Sequence, residues 1–427
     1  MLHYLTGGGG PRHGREKRPP RVLIYSHDTF GLGHLRRSRA IANRLVQADP
    51  SASVVIISGS PIIGSFEFGD GVDYVRVPGV VKLPNGDYTT LSLNLPLDEA
   101  VAMREAIILQ TARTLRPDLV IVDKEPTGFR GELIPALDEL RAQGARIVLG
   151  IRDVMDDPAV LVPEWERKGA VDALIQYYND IWVYGLREIY EPLAGLPLPE
   201  DMTRRIVYTG YLRREVPPPP NLVRYPRLTR GPFVLVTTGG GGDGHELIDW
   251  VLSAYEADPS IAMPALIVFG PFVARDRRGP FMERVARLPN VDAITFDAKI
   301  EHLMSKATSV ISMGGYNTFC EILSLDKRAL IVPRKSPRLE QSIRAEHAAR
   351  LGLLRQLDGA NLDPGAARDP MEMARAIHDL PTQPLPSRAF LPQLLDGLNQ
   401  IERLTTAWFQ AGERLAPIEV LGKVAGE

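Results

Sequence analysis

The chain has 427 residues, 44% of them hydrophobic and 24% charged, with a formal net charge of −2. That length divides into two or more domains, and the near-neutral balance excludes a global pull towards nucleic acid. The single cysteine, Cys320, excludes an intramolecular disulfide and fits a reducing compartment, and no run reaches the roughly 18 apolar residues of a membrane-spanning helix.

Residues 1–20 are rich in Gly, Arg and Pro and lack an apolar stretch, so they read as a disordered tail and not as a signal peptide. Arg21–Ser26 (RVLIYS) is a continuous apolar strand, the type buried on both faces of a parallel sheet. Ser53–Ser58 is the second strand and Tyr74–Val77 the third. Pro78–Leu97 is a long loop before a helix over Asp98–Leu115. Leu119–Val122, Arg146–Ile151, Val171–Gln176 and Ile206–Thr209 continue the series. Strands alternating with helical patterns imply βαβ units and a doubly wound sheet. Pro217–Pro220 is a stiff linker flanked by Arg213, Arg214, Arg224, Arg227 and Arg230. The pattern then restarts with strands at Phe233–Val236, Ala265–Phe269, Ala293–Phe296, Val310–Ser312 and Ala329–Val332. After Leu380 comes a proline-rich stretch and a helix over Leu394–Leu415. The expected organisation is a tail (1–20), a first Rossmann-like domain (21–216), a linker (217–231), a second such domain (232–380) and a C-terminal segment (381–427). The fold class is α/β, with two parallel-sheet lobes facing a cleft. In open α/β sheets ligands bind beyond the C-terminal strand ends, so the loops there are where chemistry is expected.

Three such loops stand out. The strand Val310–Ser312 runs into Gly314-Gly315 and then a helix carrying Asn317, Thr318 and Glu321. Glycines let backbone approach a ligand, and a helix starting there points N–H groups at an anion. A carboxylate one turn in, Glu321, suits ribose hydroxyls beside a diphosphate. The second domain's first strand ends in Thr238, Gly239, Gly240, Gly241 and Gly242. This run suits a backbone cradle for phosphate but lacks the Lys-Ser/Thr of a P-loop, and its bland reading is a flexible surface loop. The first strand is followed by Gly31-Leu32-Gly33-His34. A histidine opening a helix at a cleft suits a general base, or equally a cap or a packing residue. Asp123, Glu125, Arg152 and Asp153 also follow strands, as acceptor contacts, as a second acid/base group or as ordinary solvated charge. Tyr177, Tyr178, Asn179, Asp180 and Tyr184 read as packing and loop. No D-x-D, zinc-like Cys/His spacing or G-x-S-x-G elbow is present, so no obligatory metal is expected.

From about Arg21 to Leu380 these pieces resemble the GT-B glycosyltransferases, in particular the lipid-I N-acetylglucosaminyltransferase (MurG-like) family of peptidoglycan synthesis. The specific part is Gly314–Ala345, GGYNTFCEILSLDKRALIVPRKSPRLEQSIRA. The resemblance implies that Glu321 holds the ribose of a UDP-sugar and that Glu340-Gln341 contact the donor sugar, glutamate replacing one glutamine. It implies that Thr238–Gly242 line the diphosphate, that Phe296-Asp297 read the base, and that His34 is the base. It also implies inversion at the anomeric carbon, with the nucleotide sugar as co-substrate and no separate cofactor. The partners implied are that donor and a hydroxyl acceptor, a lipid-linked or cell-envelope glycan or a small metabolite. The place implied is the cytoplasm of a bacterium, with peripheral contact to the inner face of the membrane; Arg36, Arg37 and Arg39 with the arginine-rich linker suit anionic lipid or a phosphorylated acceptor, and read equally well as a solvated face. The departures are a sparser first glycine loop, the arginine-rich linker, the long 78–97 loop, and Arg334, Lys335 and Arg338 crowding the donor loop. Two other readings compete: a UDP-sugar epimerase or hydrolase, which needs further cleft carboxylates, and a non-catalytic nucleotide-sugar sensor or scaffold.

Overall fold

The computed structural model describes residues 18–27, 33–83, 87–216, 218, 225–239, 244–270, 273, 275–297, 299–358, 365 and 368–411. In chain order its strands are β1 (Arg21–Ser26), β2 (Ser53–Ser58), β3 (Val72–Arg76), β4 (Val80–Lys82), β5 (Tyr88–Thr90), β6 (Leu119–Asp123), β7 (Arg146–Arg152), β8 (Asp180–Tyr184), β9 (Ile206–Tyr208), β10 (Val234–Thr237), β11 (Ala265–Val268), β12 (Val291–Ile294), β13 (Ser309–Ser312), β14 (Arg328–Ile331) and β15 (Arg355–Gln356). They form two parallel sheets, ordered β3-β2-β1-β6-β7-β8-β9 and β12-β11-β10-β13-β14-β15. The expected long loop after Pro78 instead contains a small antiparallel hairpin, β4–β5, with Val80 opposite Thr90.

Apolar side chains on both faces of the central strands explain why both sheets are covered by helices. On β1, Leu23 and Tyr25 enter one core with Val120 and Leu149. Val22 and Ile24 enter the other with Leu35 and Ile41 of the helix Gly33–Ala48. That second core does not stop at the lobe. It continues into Tyr316 and Phe319 of the second lobe and Ile401 of the last helix.

One expected strand is a helix. Residues Ala170–Tyr177 bury Ala170, Ala173, Leu174 and Tyr177, a spacing of three and four that only a helix places on one face. The strand is instead Asp180–Tyr184, buried throughout, so Asp180 and Tyr184 are strand residues and not loop. A short apolar run fits either period, and the neighbouring segment had the flanks to pair with β7 and β9.

The last helix, Gly397–Ala411, returns to the first lobe. Trp408 stacks on Trp182 with centroids 5.8 Å apart, and the Arg146 guanidinium lies 3.8 Å from the Trp408 ring centre. The chain crosses itself here with little space: a Cβ on Gly397 would sit 2.5 Å from the Gly210 carbonyl oxygen. Among the described residues no helix is long and apolar enough to cross a membrane.

Candidate active site

Strand order reverses at β1/β6 in the first sheet and at β10/β13 in the second. These are the topological switch points where loops diverge and leave a crevice. Thr237 and Ser312 are register partners, so the loops after β10 and β13 open side by side. A cavity of ≈ 320 Å³ lies where the two crevices face each other, lined by His34 and Arg152 of the first lobe and Thr238, Gly314, Glu321 and Glu340 of the second.

On the first-lobe side, His34 is the second residue of the helix Gly33–Ala48. Its Nδ1 lies 2.6 Å from Asp123 Oδ2 at the end of β6. Asp123 is 2% exposed and is gripped by Arg37, whose Nη2 lies 2.6 Å from Oδ1 and 2.8 Å from Oδ2 and whose Nε donates across 3.1 Å. A carboxylate so placed accepts a hydrogen bond from Nδ1–H and so leaves Nε2 as the lone-pair nitrogen. Burial would raise the Asp123 pKa, but Arg37 and then His34 overcome it and hold it far below the usual carboxylate range. Burial lowers His34 to about 4, with Asp123 pulling the other way. The imidazole is therefore neutral at physiological pH, with a fixed anion behind it to stabilise a proton once taken up.

On the second-lobe side, Gly314 has φ 76°, and a Cβ there would lie 2.7 Å from Ile331 Cγ2. Only glycine makes this turn without displacing β14. Gly315 then caps the helix Tyr316–Ser324 with no side chain of its own, so the first backbone N–H groups are left for a ligand. After β10, Gly239 has φ 72° and Thr238 anchors its loop by donating to the Phe269 carbonyl across 2.8 Å. Phe296 lines the cavity at 45% exposure, an open aromatic face, beside Asp297. Asp297 accepts from the Tyr225 hydroxyl (2.8 Å) and from the Lys299 N–H (2.7 Å).

The cavity thus gathers Gly33, His34, Arg152, Thr238, Gly239, Phe296, Asp297, Gly314, Gly315, Asn317, Thr318, Glu321, Glu340 and Gln341. Gly31, Gly240, Gly241 and Gly242 lie outside the described residues. Asp123, Glu125 and Asp153 do not line it. Asp123 holds His34 and Arg37. Glu125 accepts from Lys168 at 3.1 Å and sits 3.5 Å from Lys124. Asp153 is fully buried, bound by Arg344 Nε and Nη2 at 2.6 Å each and by the Tyr211 hydroxyl at 2.8 Å. Proximity to a strand end does not make a carboxylate available when the opposite element supplies an arginine.

Glu321 also differs from expectation. It is 1% exposed, and Arg36 of the first lobe lies 2.6 Å from its Oε1 while also bonding Glu301. Burial raises the Glu321 pKa and Glu301 adds to it, against Arg36. Asn317 bridges the lobes, accepting from Arg214 at 2.8 Å and donating to the Gly33 carbonyl at 3.2 Å. Glu340 accepts from Arg334 at 2.9 Å through Oε1, and its Oε2 is buried without a partner. The basic residues read as a membrane-facing or charge-crowding set have partners within the chain: Arg36 and Arg37 as above, Arg39 over the Phe66 ring at 4.9 Å, Lys335 in an exposed pair with Asp358 at 2.7 Å, and Arg338 on Glu164 at 2.9 Å.

Arg36, Arg37 and Arg334, which line the cavity, and His27 and Arg214, which lie behind it, were not read as site components. The His27 ring lies 6.0 Å from that of His34, edge-on, and burial drives its pKa down to about 3. The partners of Arg37 and Arg214 lie 86 and 103 positions away, so no local pattern marks them.

Residues 234–365 match the model for the glycosyltransferase family 28 C-terminal domain. No curated protein matches the chain in sequence. Among solved structures, the glycosyltransferase of kitacinnamycin superposes with a TM-score of 0.59 at 16% identity, covering 93% of this chain and 100% of that one. MurG of Acinetobacter baumannii gives 0.56 at 13%, covering 92% and 100%. The glycosyltransferase VinC in complex with dTDP gives 0.55 at 18%, covering 92% and 95%. The two facing parallel-sheet lobes are therefore the GT-B fold, and the second of them carries the match to the glycosyltransferase family 28 C-terminal domain.

Proposed function

We propose that this chain transfers a hexosyl group from a nucleotide diphosphate sugar, UDP-linked, to a hydroxyl acceptor with inversion and without a metal. The observation that carries the reading is the cavity itself. It sets a neutral His34, backed by Asp123 and Arg37, against a glycine turn and an uncapped helix start on the opposite lobe. His34 Nε2 takes the acceptor hydroxyl proton while that oxygen attacks the anomeric carbon. The bond from this carbon to the diphosphate breaks on the opposite face, and its electron pair leaves with the diphosphate oxygen. Backbone N–H groups and the helix dipole at Gly315 stabilise the charge that develops there. Phe296 supplies a face for the base. Glu321 accepts from the ribose hydroxyls, for which Arg36 must move aside. Glu340 Oε2, buried and unpaired, accepts from a sugar hydroxyl.

The acceptor is a lipid-linked or other envelope glycan in this reading, reached from the cytoplasmic side. The epimerase or hydrolase alternative does not draw on the carboxylates first suggested for it, because Asp123, Glu125 and Asp153 are paired with cations and lie outside the cavity lining. A thermal-shift screen with UDP, GDP, dTDP and their sugar conjugates tests the donor, since a ligand of the folded state raises its stability. A selective rise with UDP and UDP-sugars is expected. No rise with any nucleotide would overturn the reading.

A further inference from the structure

Four arginines line the cavity: Arg36, Arg37, Arg152 and Arg334. Three are matched to carboxylates: Arg36 to Glu321 and Glu301, Arg37 to Asp123, and Arg334 to Glu340. Arg152 is not. Among the described residues its guanidinium has no ion pair and no hydrogen bond, and its Nε is buried without an acceptor. An unsatisfied buried donor carries a full desolvation cost, more when it is charged. Only that Nε is buried; the residue is part-exposed and the rest of its fork is open to the cavity, a place where a partner can arrive from outside.

The surroundings point to what arrives. Burial lowers the Arg152 pKa, and Arg344 and Arg37 lower it further against Glu340. Lys124 is lowered by burial and by Arg152, against Glu125. The carboxylates that act on Arg152 are engaged elsewhere, Glu340 with Arg334 and Asp153 with Arg344. The guanidinium is a planar fork matched to the oxygens of carboxylate or phosphate.

Its position says which substrate carries the charge. Arg152 ends β7, two residues past Gly150, the register partner of Asp123. It therefore stands on the same sheet, one strand over from the carboxylate that holds His34. The glycine turn and helix start suited to the donor diphosphate belong to the other lobe. We propose that Arg152 is the receptor for an anionic group, carboxylate or phosphate, carried by the acceptor and held beside the hydroxyl that His34 deprotonates. This rests on the proposed transferase reading for the word acceptor, but not for the anion site.

The full-length protein, alone and saturated with UDP, is titrated with inorganic phosphate and with acetate, following melting temperature and binding heat. Wild type, Arg152→Gln and Arg152→Lys are compared, each first shown to melt like wild type without ligand. With UDP filling the diphosphate cradle, phosphate or acetate should still stabilise the wild type. Arg152→Gln should weaken that response about 10- to 100-fold, the size of one hydrogen bond to a charged group. Arg152→Lys should restore part of it, and UDP affinity should change by less than about twofold in either variant. If Arg152→Gln weakens UDP instead and the anion response vanishes once UDP is bound, Arg152 belongs to the donor diphosphate and the proposal fails. It fails equally if wild type and Arg152→Gln respond alike to both anions. A protein that ignores UDP but loses its anion response in Arg152→Gln would refute the transferase reading and leave the anion site standing.

Discussion

A neutral imidazole is the form that can take a proton, and burial keeps His34 in it. Its folded pKa of about 4 lies below the 6.5 of the free side chain. Between those values the unfolded chain binds the proton and the folded chain does not, so stability contributed by neutral His34 is full above pH 6.5 and falls as pH drops towards 4. Wild type should lose melting temperature relative to His34→Asn across that window; a constant difference would mean an unshifted histidine. His34→Ala should cut turnover about 10²–10⁴-fold with UDP affinity retained. Asp123→Asn should cut it on a comparable scale, because the amide offers Nδ1 the wrong hydrogen-bond partner and favours the wrong tautomer. Steady-state kinetics beside UDP titration checks both, and unchanged turnover would leave the pair a structural clasp. Glu321→Ala should cost UDP binding roughly 1.5–3 kcal/mol, whereas Arg36→Ala should leave it equal or tighter by removing the competing cation. A weaker UDP complex in Arg36→Ala would make Arg36 itself a nucleotide ligand.

At the scale of the element, the Gly314-Gly315 turn is legible in sequence because its demand is local. One glycine must have positive φ and the next must start a helix without a side chain in the way. Gly314→Ala adds a Cβ at 2.7 Å from Ile331 at φ 76° and should destabilise by about 1–3 kcal/mol. Gly315→Ala meets nothing within 4 Å at φ −57° and should cost less than about 1 kcal/mol. Urea unfolding of the two variants separates them, and equal losses would contradict the close approach to β14. Asp180–Tyr184 was not legible in this way. Its neighbour Ala170–Tyr177 is equally apolar, and only pairing with β7 and β9 decides which segment is the strand.

For the whole molecule, the lobes are joined by buried ion pairs as well as by the core that runs from β1 to Phe319. Arg344 and Asp153 are 1% and 0% exposed in their side chains. Removing one leaves the other charged and uncompensated. Arg344→Ala should cost about 3–5 kcal/mol, while Arg350→Ala, on an exposed pair with Glu346, should stay within about 0.5 kcal/mol. Melting curves of the two decide it, and a small loss at Arg344 would mean that this ion pair does not hold the lobes together.

What the sequence determined by itself was whatever repeats or is settled within a few residues. The continuous apolar strands called for two parallel sheets, the glycines after β1, β10 and β13 located the cleft, and His34 opened a helix at its edge. The tertiary structure alone decided which charges are available. Asp123, Asp153 and Glu321 look alike on paper, yet Arg37, Arg344 and Arg36 reach them from 86, 191 and 285 positions away. Arg152, read from the sequence as an acceptor contact, an acid/base group or a solvated charge alike, is left without a partner among the described residues. Whether a charge is free depends on what packing brings against it, and that is a property of the folded chain and not of any window along it.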